Sequence, residues 1–262
     1  MRDLIHPILS KLSHSNKQTL EEFRGLLFYF TAMELPVFFV DYLSDEFITL
    51  GEETSRHVVQ VLRMAQGESI QLTDGLGHLH TAEIVDAHKK KATVRITRKD
   101  FIPQKVQKIS IAISLLKNSS RFEWFLEKAT EIGVTEIYPL LCERTEKQHF
   151  RYERMKQILT SAILQSKQVW LPALHQPTAF NKLIEATSYA TKLIAHCGDD
   201  TKESVGNFSK QNAVQILIGP EGDFTKGEIE LALRKSFQPV SLGSTRLRTE
   251  TAGVVAATIL SF

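Results

Sequence analysis

The strongest constraint on the fold is a change of rhythm near Pro103. Beyond it, apolar residues switch back and forth between the two-residue repeat of a strand and the wider repeat of a helix. Ile109, Ile111, Ile113 and Leu115 alternate as a strand should. Phe122, Phe125, Leu126, Ala129 and Ile132 then share one helical face, opened by a capping-box pattern of Ser120 with Glu123 and stopped by Gly133. Further strands are predicted over 136–141, 192–196, 214–218 and 239–242. Helices are predicted over 152–166, from Thr225 (capping-box partner Glu228) to Phe237, and from about Thr249 to Phe262. Such alternation predicts an α/β domain over 109–262, a mostly parallel sheet with helices on both faces.

Before Pro103 the pattern is different. Short strands are predicted over 35–40, 69–73, 79–85 and 93–97, with one helix over 53–64 ending before Gly67. Asp74-Gly75-Leu-Gly77 between two of these strands is a hairpin signal, because glycine accepts positive φ at low steric cost. Several short strands in so few residues predict a small β-barrel-like domain over 33–100, with 101–108 as a linker. Residues 1–32 fit neither pattern and form an N-terminal extension, either an added helix or codons upstream of a start at Met33.

Composition mainly excludes. With 42% hydrophobic and 24% charged residues the chain can build real cores, so disorder throughout is ruled out. The two cysteines, Cys142 and Cys197, form no Cys-x-x-Cys pair, and no His/Cys cluster has zinc-like spacing, so no metal is expected. No apolar run approaches the ~18–20 residues of a membrane span, and a cytoplasmic protein is expected. There is no phosphate-binding Gly-x-x-x-x-Gly-Lys loop, Gly-x-Ser-x-Gly elbow or His-Glu-x-x-His helix. Gly75-Leu-Gly77-His-Leu-His80 lacks the third glycine of a dinucleotide fingerprint and reads as a turn. The net charge of +2 makes no global case for nucleic acid. Locally, Lys89, Lys90, Lys91, Arg95, Arg98, Lys99, Lys105 and Lys108 face only Asp100 across 89–108, a cluster suited either to phosphate contacts or to a solvated surface.

Two loops near the C-terminus carry the chemistry. Ile218-Gly-Pro-Glu-Gly-Asp-Phe224 leaves a buried strand through a sharp turn, and Gly222 would let backbone approach a ligand. Leu242-Gly-Ser-Thr-Arg-Leu-Arg-Thr-Glu-Thr-Ala252 leaves a second strand through Gly243 and packs Arg246, Arg248 and Glu250 just before a helix that Thr249 or Thr251 could cap. Ligands of open α/β sheets sit at this end of the strands. Taken singly, each loop also fits an ordinary strand-to-helix connection.

The order of motifs resembles the bacterial 16S ribosomal RNA uridine-N3 methyltransferase family of the knotted SPOUT superfamily. The resemblance rests on Gly219-Pro-Glu-Gly222, Leu242-Gly243 and Arg246-Leu-Arg-Thr-Glu-Thr251, with Lys117-x-x-x-Arg121, Glu127-Lys128, Glu131-Ile-Gly133 and Glu143-Arg144 upstream. In the front domain His57-Val-Val-Gln-Val-Leu-Arg63 followed by Gly67 is also similar. A departure occurs at Leu164-Gln165-Ser166-Lys167-Gln168, where the family tends to have an acidic residue before the Gln and Gly-Arg after the Ser.

The resemblance implies a SPOUT-type trefoil-knotted domain after a PUA-like RNA-binding domain, S-adenosylmethionine as methyl donor, small-subunit ribosomal RNA as substrate and a homodimer. It assigns the donor to Ile218, Gly219, Pro220, Glu221, Gly222, Leu242, Gly243, Leu247, Arg248, Thr249, Thr251 and Ala252. Arg248, Arg246, Glu250 and Glu221 would serve the chemistry. His57, Arg63, Lys89, Lys91, Arg95, Arg98, Lys117 and Arg121 would contact RNA. The last helix (Ala252, Val255, Ala256, Ile259) is a candidate dimer face. A non-catalytic ribosome-assembly factor, or a methyltransferase for another RNA site, are the alternatives.

Overall fold

A computed structural model describes residues 35–43, 45–146, 149–198 and 201–262; the predicted extension over 1–32 lies outside them. The chain divides into two compact units. The described part of 1–38 with Glu46–Gln71 and Thr81–Thr97 forms the smaller, and Phe39–Asp45, Leu72–His80 and Arg98–Phe262 form the larger.

The N-terminal strands are β1 (Val37–Phe39), β2 (Phe47–Thr49), β3 (Ser69–Thr73), β4 (His78–Asp86) and β5 (Thr93–Phe101), in the order β1-β3-β4-β5-β2. Helix α1 (Glu52–Arg56) continues as a π-helical turn, His57–Val61, and Arg63 follows in a left-handed conformation (φ 58°). Val58, Ile70, Ala82, Ile84 and Val94 are fully buried and make the small unit's core. The Ser55 hydroxyl joins α1 to the sheet by donating to Leu50 O and accepting from Ala92 N–H. Gly75 and Gly77 both have positive φ in the predicted hairpin turn. β5 runs four residues past its predicted end, to Phe101.

In the larger unit, the strands β6 (Lys108–Ser114), β7 (Glu136–Leu141), β8 (Ala173–Leu174), β9 (Thr178–Ala179), β10 (Thr191–Ala195), β11 (Glu203–Ser204), β12 (Ala213–Ile218) and β13 (Gln238–Ser241) form a parallel sheet ordered β11-β13-β10-β12-β6-β7-β8. β9 also pairs with β7. The helices are α2 (Ser119–Ile132), α3 (Tyr152–Gln165), α4 (Phe180–Ala186), α5 (Lys226–Arg234) and α6 (Thr249–Ser261). Strand pleating divides the core in two. Ile109, Ile111, Ile113 and Ile216 face Phe125, Leu126, Leu159, Ala256 and Leu260. Ala112, Leu140, Ile194 and Leu217 face Phe180, Leu183, Phe224, Ala232 and Phe237. Helices thus cover both sheet faces, as the rhythm predicts.

Some expectations are corrected. The cap of α2 is Asn118, whose side chain accepts from Ser120 N–H, so Ser120 lies inside the helix. Neither Thr249 nor Thr251 caps α6; its N-cap is Arg248, without a side-chain cap bond. The Thr225–Glu228 capping box is present, but α5 stops at Arg234, and Phe237 lies beyond it in the core. The short α4, β8, β9 and β11 had too little periodic sequence to announce themselves. Ala256 of the expected dimer face is fully buried inside the chain. α6 packs on α2 so tightly that a Cβ at Gly253 would lie 2.6 Å from the Phe125 ring.

Candidate active site

Parallel pairing brings three chain exits together. Ala195 lies beside Ile218 and beside Val240, so β10, β12 and β13 all release their loops at the same sheet end. A cavity of about 680 Å³ opens there, lined by residues from all three exits, from the start of α6, and by Arg121 of α2.

The β12 loop is held by short polar bonds. Asp223 adopts positive φ (63°), its N–H donating to Pro220 O at 2.9 Å. Its carboxylate accepts the N–H of Cys197 (2.8 Å) and of Phe224 (2.8 Å), clipping the β10 exit to the β12 exit. Gly219 packs closely, since a Cβ there would lie 3.1 Å from the Phe224 ring and push it by a few tenths of an ångström. Arg144 buttresses the loop from outside, donating to Gly222 O at 2.7 Å. The β13 loop turns at Gly243 (φ 142°), whose missing Cβ would point into open space, with Ser241 Oγ accepting from Gly243 N–H. Lys202 donates to the carbonyls of His196 (2.7 Å) and Gly198, tying down the β10 exit.

Charge at the cavity is mostly positive. Arg121, Lys202, Arg246 and Arg248 line it, against Glu221 and Asp223. Glu250, expected to serve the chemistry, is buried at the second position of α6 and does not line the cavity; one carboxylate oxygen lies 3.6 Å from Arg121 Nε, and the other has no hydrogen-bond partner among the described residues. Glu221 is exposed and accepts the Lys117 N–H at 3.2 Å. The Cys142 thiol is buried, and burial pushes its pKa well above the ordinary value, which keeps it protonated.

Of the residues assigned to the donor, Ile218, Gly219, Pro220, Glu221, Leu242, Gly243, Leu247, Arg248, Thr249 and Ala252 line this one cavity. Gly222 and Thr251 do not; Gly222 approaches the Arg144 side chain instead of open space. Arg121, expected on an RNA face, lines the cavity beside Arg246 and pairs with Glu250. Lys117 is exposed and bound to Glu146 at 2.8 Å. In the small unit His57, Arg63, Lys89, Lys91 and Arg95 are exposed, Arg95 bonds Glu83, and the His57 ring meets Phe38 edge-on. Arg98 bonds Asp100 in the larger unit. Ser166, beside Gln165 at the end of α3, donates its hydroxyl to Ala162 O and accepts from Gln168 Nε2, away from the cavity lining. Sequence reasoning missed the β10 exit (His196, Cys197, Lys202). Its signal was the parallel strand itself, whose end must lie beside the other two.

Residues 103–261 match the RNA methyltransferase domain, and residues 50–97 match the RNA methyltransferase PUA domain. The chain belongs to the RNA methyltransferase family. A ribosomal RNA small subunit methyltransferase E from Synechocystis is 34% identical over 218 residues, covering 80% of this chain and 71% of its own. A probable rRNA methyltransferase from Porphyromonas gingivalis superposes with a TM-score of 0.80 at 36% identity, covering 85% of this chain and 95% of that one. A ribosomal RNA small subunit methyltransferase E from Neisseria gonorrhoeae, solved with S-adenosyl methionine, gives 0.76 at 30% identity over 86% and 95%. This family member therefore has the expected SPOUT-type α/β fold behind a PUA-like β module, and it is a methyltransferase acting on RNA.

Proposed function

We propose that this methyltransferase transfers the methyl group of S-adenosylmethionine to N3 of a uridine in 16S ribosomal RNA. The observation that carries the reading is the single cavity in which the Gly219 and Gly243 loops meet three arginines. The residues fit the donor. About 680 Å³ is in the range of small-molecule sites, and the strand ends offer backbone N–H and C=O groups where Gly243 leaves room. Ile218, Gly219, Leu242 and Leu247 would hold it mainly through backbone, with Pro220, Thr249 and Ala252 completing the walls. Bound there, the donor supplies an electrophilic methyl group.

The uracil N3–H is not acidic at neutral pH, so the protein must stabilise the anion left when its proton departs. As the N3 proton departs, negative charge spreads onto the two uracil oxygens, and it is cancelled when N3 takes the methyl from the sulfonium. Arg246 and Arg248 stand at the rim to meet it, and Arg121 adds a third guanidinium. Of the two carboxylates, Glu221 lines the cavity and could orient the base, while Glu250 does not line it and would act through Arg121. Glu221 is already engaged with Lys117. Lys89 and Lys91 are exposed cations suited to phosphate, with His57 and Arg63 as further contacts. The enzyme works in the cytoplasm as a homodimer, with its contact outside the buried Gly253–Ala256–Leu260 face of α6.

The test is incubation of the protein with unmodified small subunits and labelled S-adenosylmethionine, followed by mapping of the methylated nucleotide by mass spectrometry. Label at N3 of one 16S uridine is expected. No transfer to any ribosomal RNA overturns the reading.

A further inference from the structure

Away from the cavity, the larger unit carries an exposed aromatic held in place on two sides. Phe101, the last residue of β5, is 57% exposed although it is a large apolar side chain. Its ring meets Trp170 edge-on at 6.0 Å between centroids and His78 at 5.4 Å. Both neighbours are fixed in turn. The Trp170 indole donates to Ile102 O at 2.8 Å, and its ring leaves no room for a Cβ at Gly77, which would lie 2.5 Å away. The His78 ring is pinned through Nδ1 to Asp74 at 2.7 Å. Neighbouring Leu76 is 60% exposed and bridges to Trp170.

The strand repeat places Lys99 two residues before Phe101 on the same face of β5, and His80 two residues after His78 on the same face of β4. Lys99 bonds no carboxylate among the described residues, and its positive field is felt at His80. The patch therefore combines a rigid exposed ring, a flanking imidazole and an uncompensated cation. A patch built to meet another apolar protein surface would not need the cation. An unpaired nucleobase needs both features, a flat face to stack on and a positive charge for the adjoining phosphate.

We propose that Phe101, flanked by His78 and Trp170, is a stacking platform for an unpaired base of the RNA substrate, with Lys99 receiving the neighbouring phosphate. The proposal deepens the reading of the protein as an RNA methyltransferase and rests on it for the source of the strand. Stacking is insensitive to base identity, so the platform holds the strand without choosing its sequence. The rings are already packed in place, so of these groups only the exposed Lys99 side chain is ordered on binding.

The test uses the full chain with Trp124→Phe, which leaves Trp170 as its sole tryptophan, and a fluorescently silent oligouridylate as probe. Binding is expected to quench Trp170. Phe101→Ala is expected to weaken binding about tenfold or more, Phe101→Trp to restore it, and Lys99→Ala to weaken it while lowering the salt dependence by about one charge. Calorimetry with S-adenosylmethionine should be unchanged in all of them. Wild-type affinity in Phe101→Ala overturns the proposal, as does an absence of any oligouridylate binding by the parent. A change in oligomeric state with RNA affinity unaltered also overturns it, by making the patch a contact between copies. If small subunits accept no methyl group while the platform variants still lose oligouridylate, the functional reading fails and the platform stands.

Discussion

The Asp223 carboxylate accepts the Cys197 N–H at 2.8 Å, and this bond fastens the exit of one central strand to the exit of its neighbour. Asp223 does so from a left-handed backbone (φ 63°) that glycine would adopt with less strain. Asp223→Gly should therefore trade the relief of roughly 1 kcal/mol of strain against the loss of hydrogen bonds worth about 1 kcal/mol each. Thermal stability should shift little, while the affinity for S-adenosylmethionine measured by calorimetry should fall several-fold. Asp223→Asn, which keeps one good acceptor, should lie between. Wild-type donor affinity in the glycine variant would show that the loops are held by other means.

Arg248 stands at the cavity and at the start of α6, without a carboxylate partner among the described residues. Removing a preorganised positive group that meets developing charge costs about 10²-fold in turnover. Arg248→Ala should show this in single-turnover methylation at saturating S-adenosylmethionine. Normal turnover with unchanged donor binding would remove Arg248 from the chemistry.

Glu250 and Arg121 should be coupled, but weakly. Their atoms are 3.6 Å apart and the Arg121 side chain is 40% exposed, so solvent screens the pair. A double-mutant cycle of Glu250→Gln and Arg121→Ala in urea denaturation should give about 0.5–1 kcal/mol. Glu250→Gln should reduce single-turnover methylation by a matching factor of about two to five, because Glu250 acts on the cavity through Arg121.

His80 predicts a pH dependence. Burial, then His78, then Lys99 lower its pKa below 6.5. The folded state therefore holds the neutral ring, and the unfolded chain binds the extra proton as pH falls. This contribution is fully present above about pH 6.5 and is lost as pH drops toward the lowered folded value. His80→Phe should flatten that part of the stability-versus-pH curve measured by thermal denaturation. An unchanged slope would show that other groups govern it.

Gly253→Ala should destabilise the larger unit by about 1–3 kcal/mol, because its Cβ would meet Phe125 at 2.6 Å and Ile113 at 2.8 Å. Phe125→Leu, harmful alone, should recover part of the loss in a thermal melt of the double variant.

Much of this molecule was legible in order of residues. β7 was read to the residue, and β12 and α6 to within one, because long regular repeats override local ambiguity. Ser120 misled because a capping-box pattern names residue types and not the backbone angle that decides which residue caps. The clustering of Gly219 with Gly243 could be read from two strands ending together. That Arg121 joins them could not, since it depends on α2 passing beside α6. Cys197 was silent because it acts through its backbone N–H, and Lys202 because its ammonium binds backbone carbonyls, which sequence does not distinguish.

The order of the sheet has a cost during synthesis. Gln215 bonds Ser110 across β12 and β6, and these partners are 105 residues apart in the chain. At ~5–20 residues per second, a ribosome needs several seconds to deliver β12 after β6 has emerged. Until then β6 can pair only with β7, and the backbone N–H and C=O groups of its other edge are an open template for stray strands, while Ile109, Ile111 and Ile113 lack part of the core they pack against. A translational pause between residues 114 and 213 should therefore lower the yield of native protein more than a pause anywhere after 218.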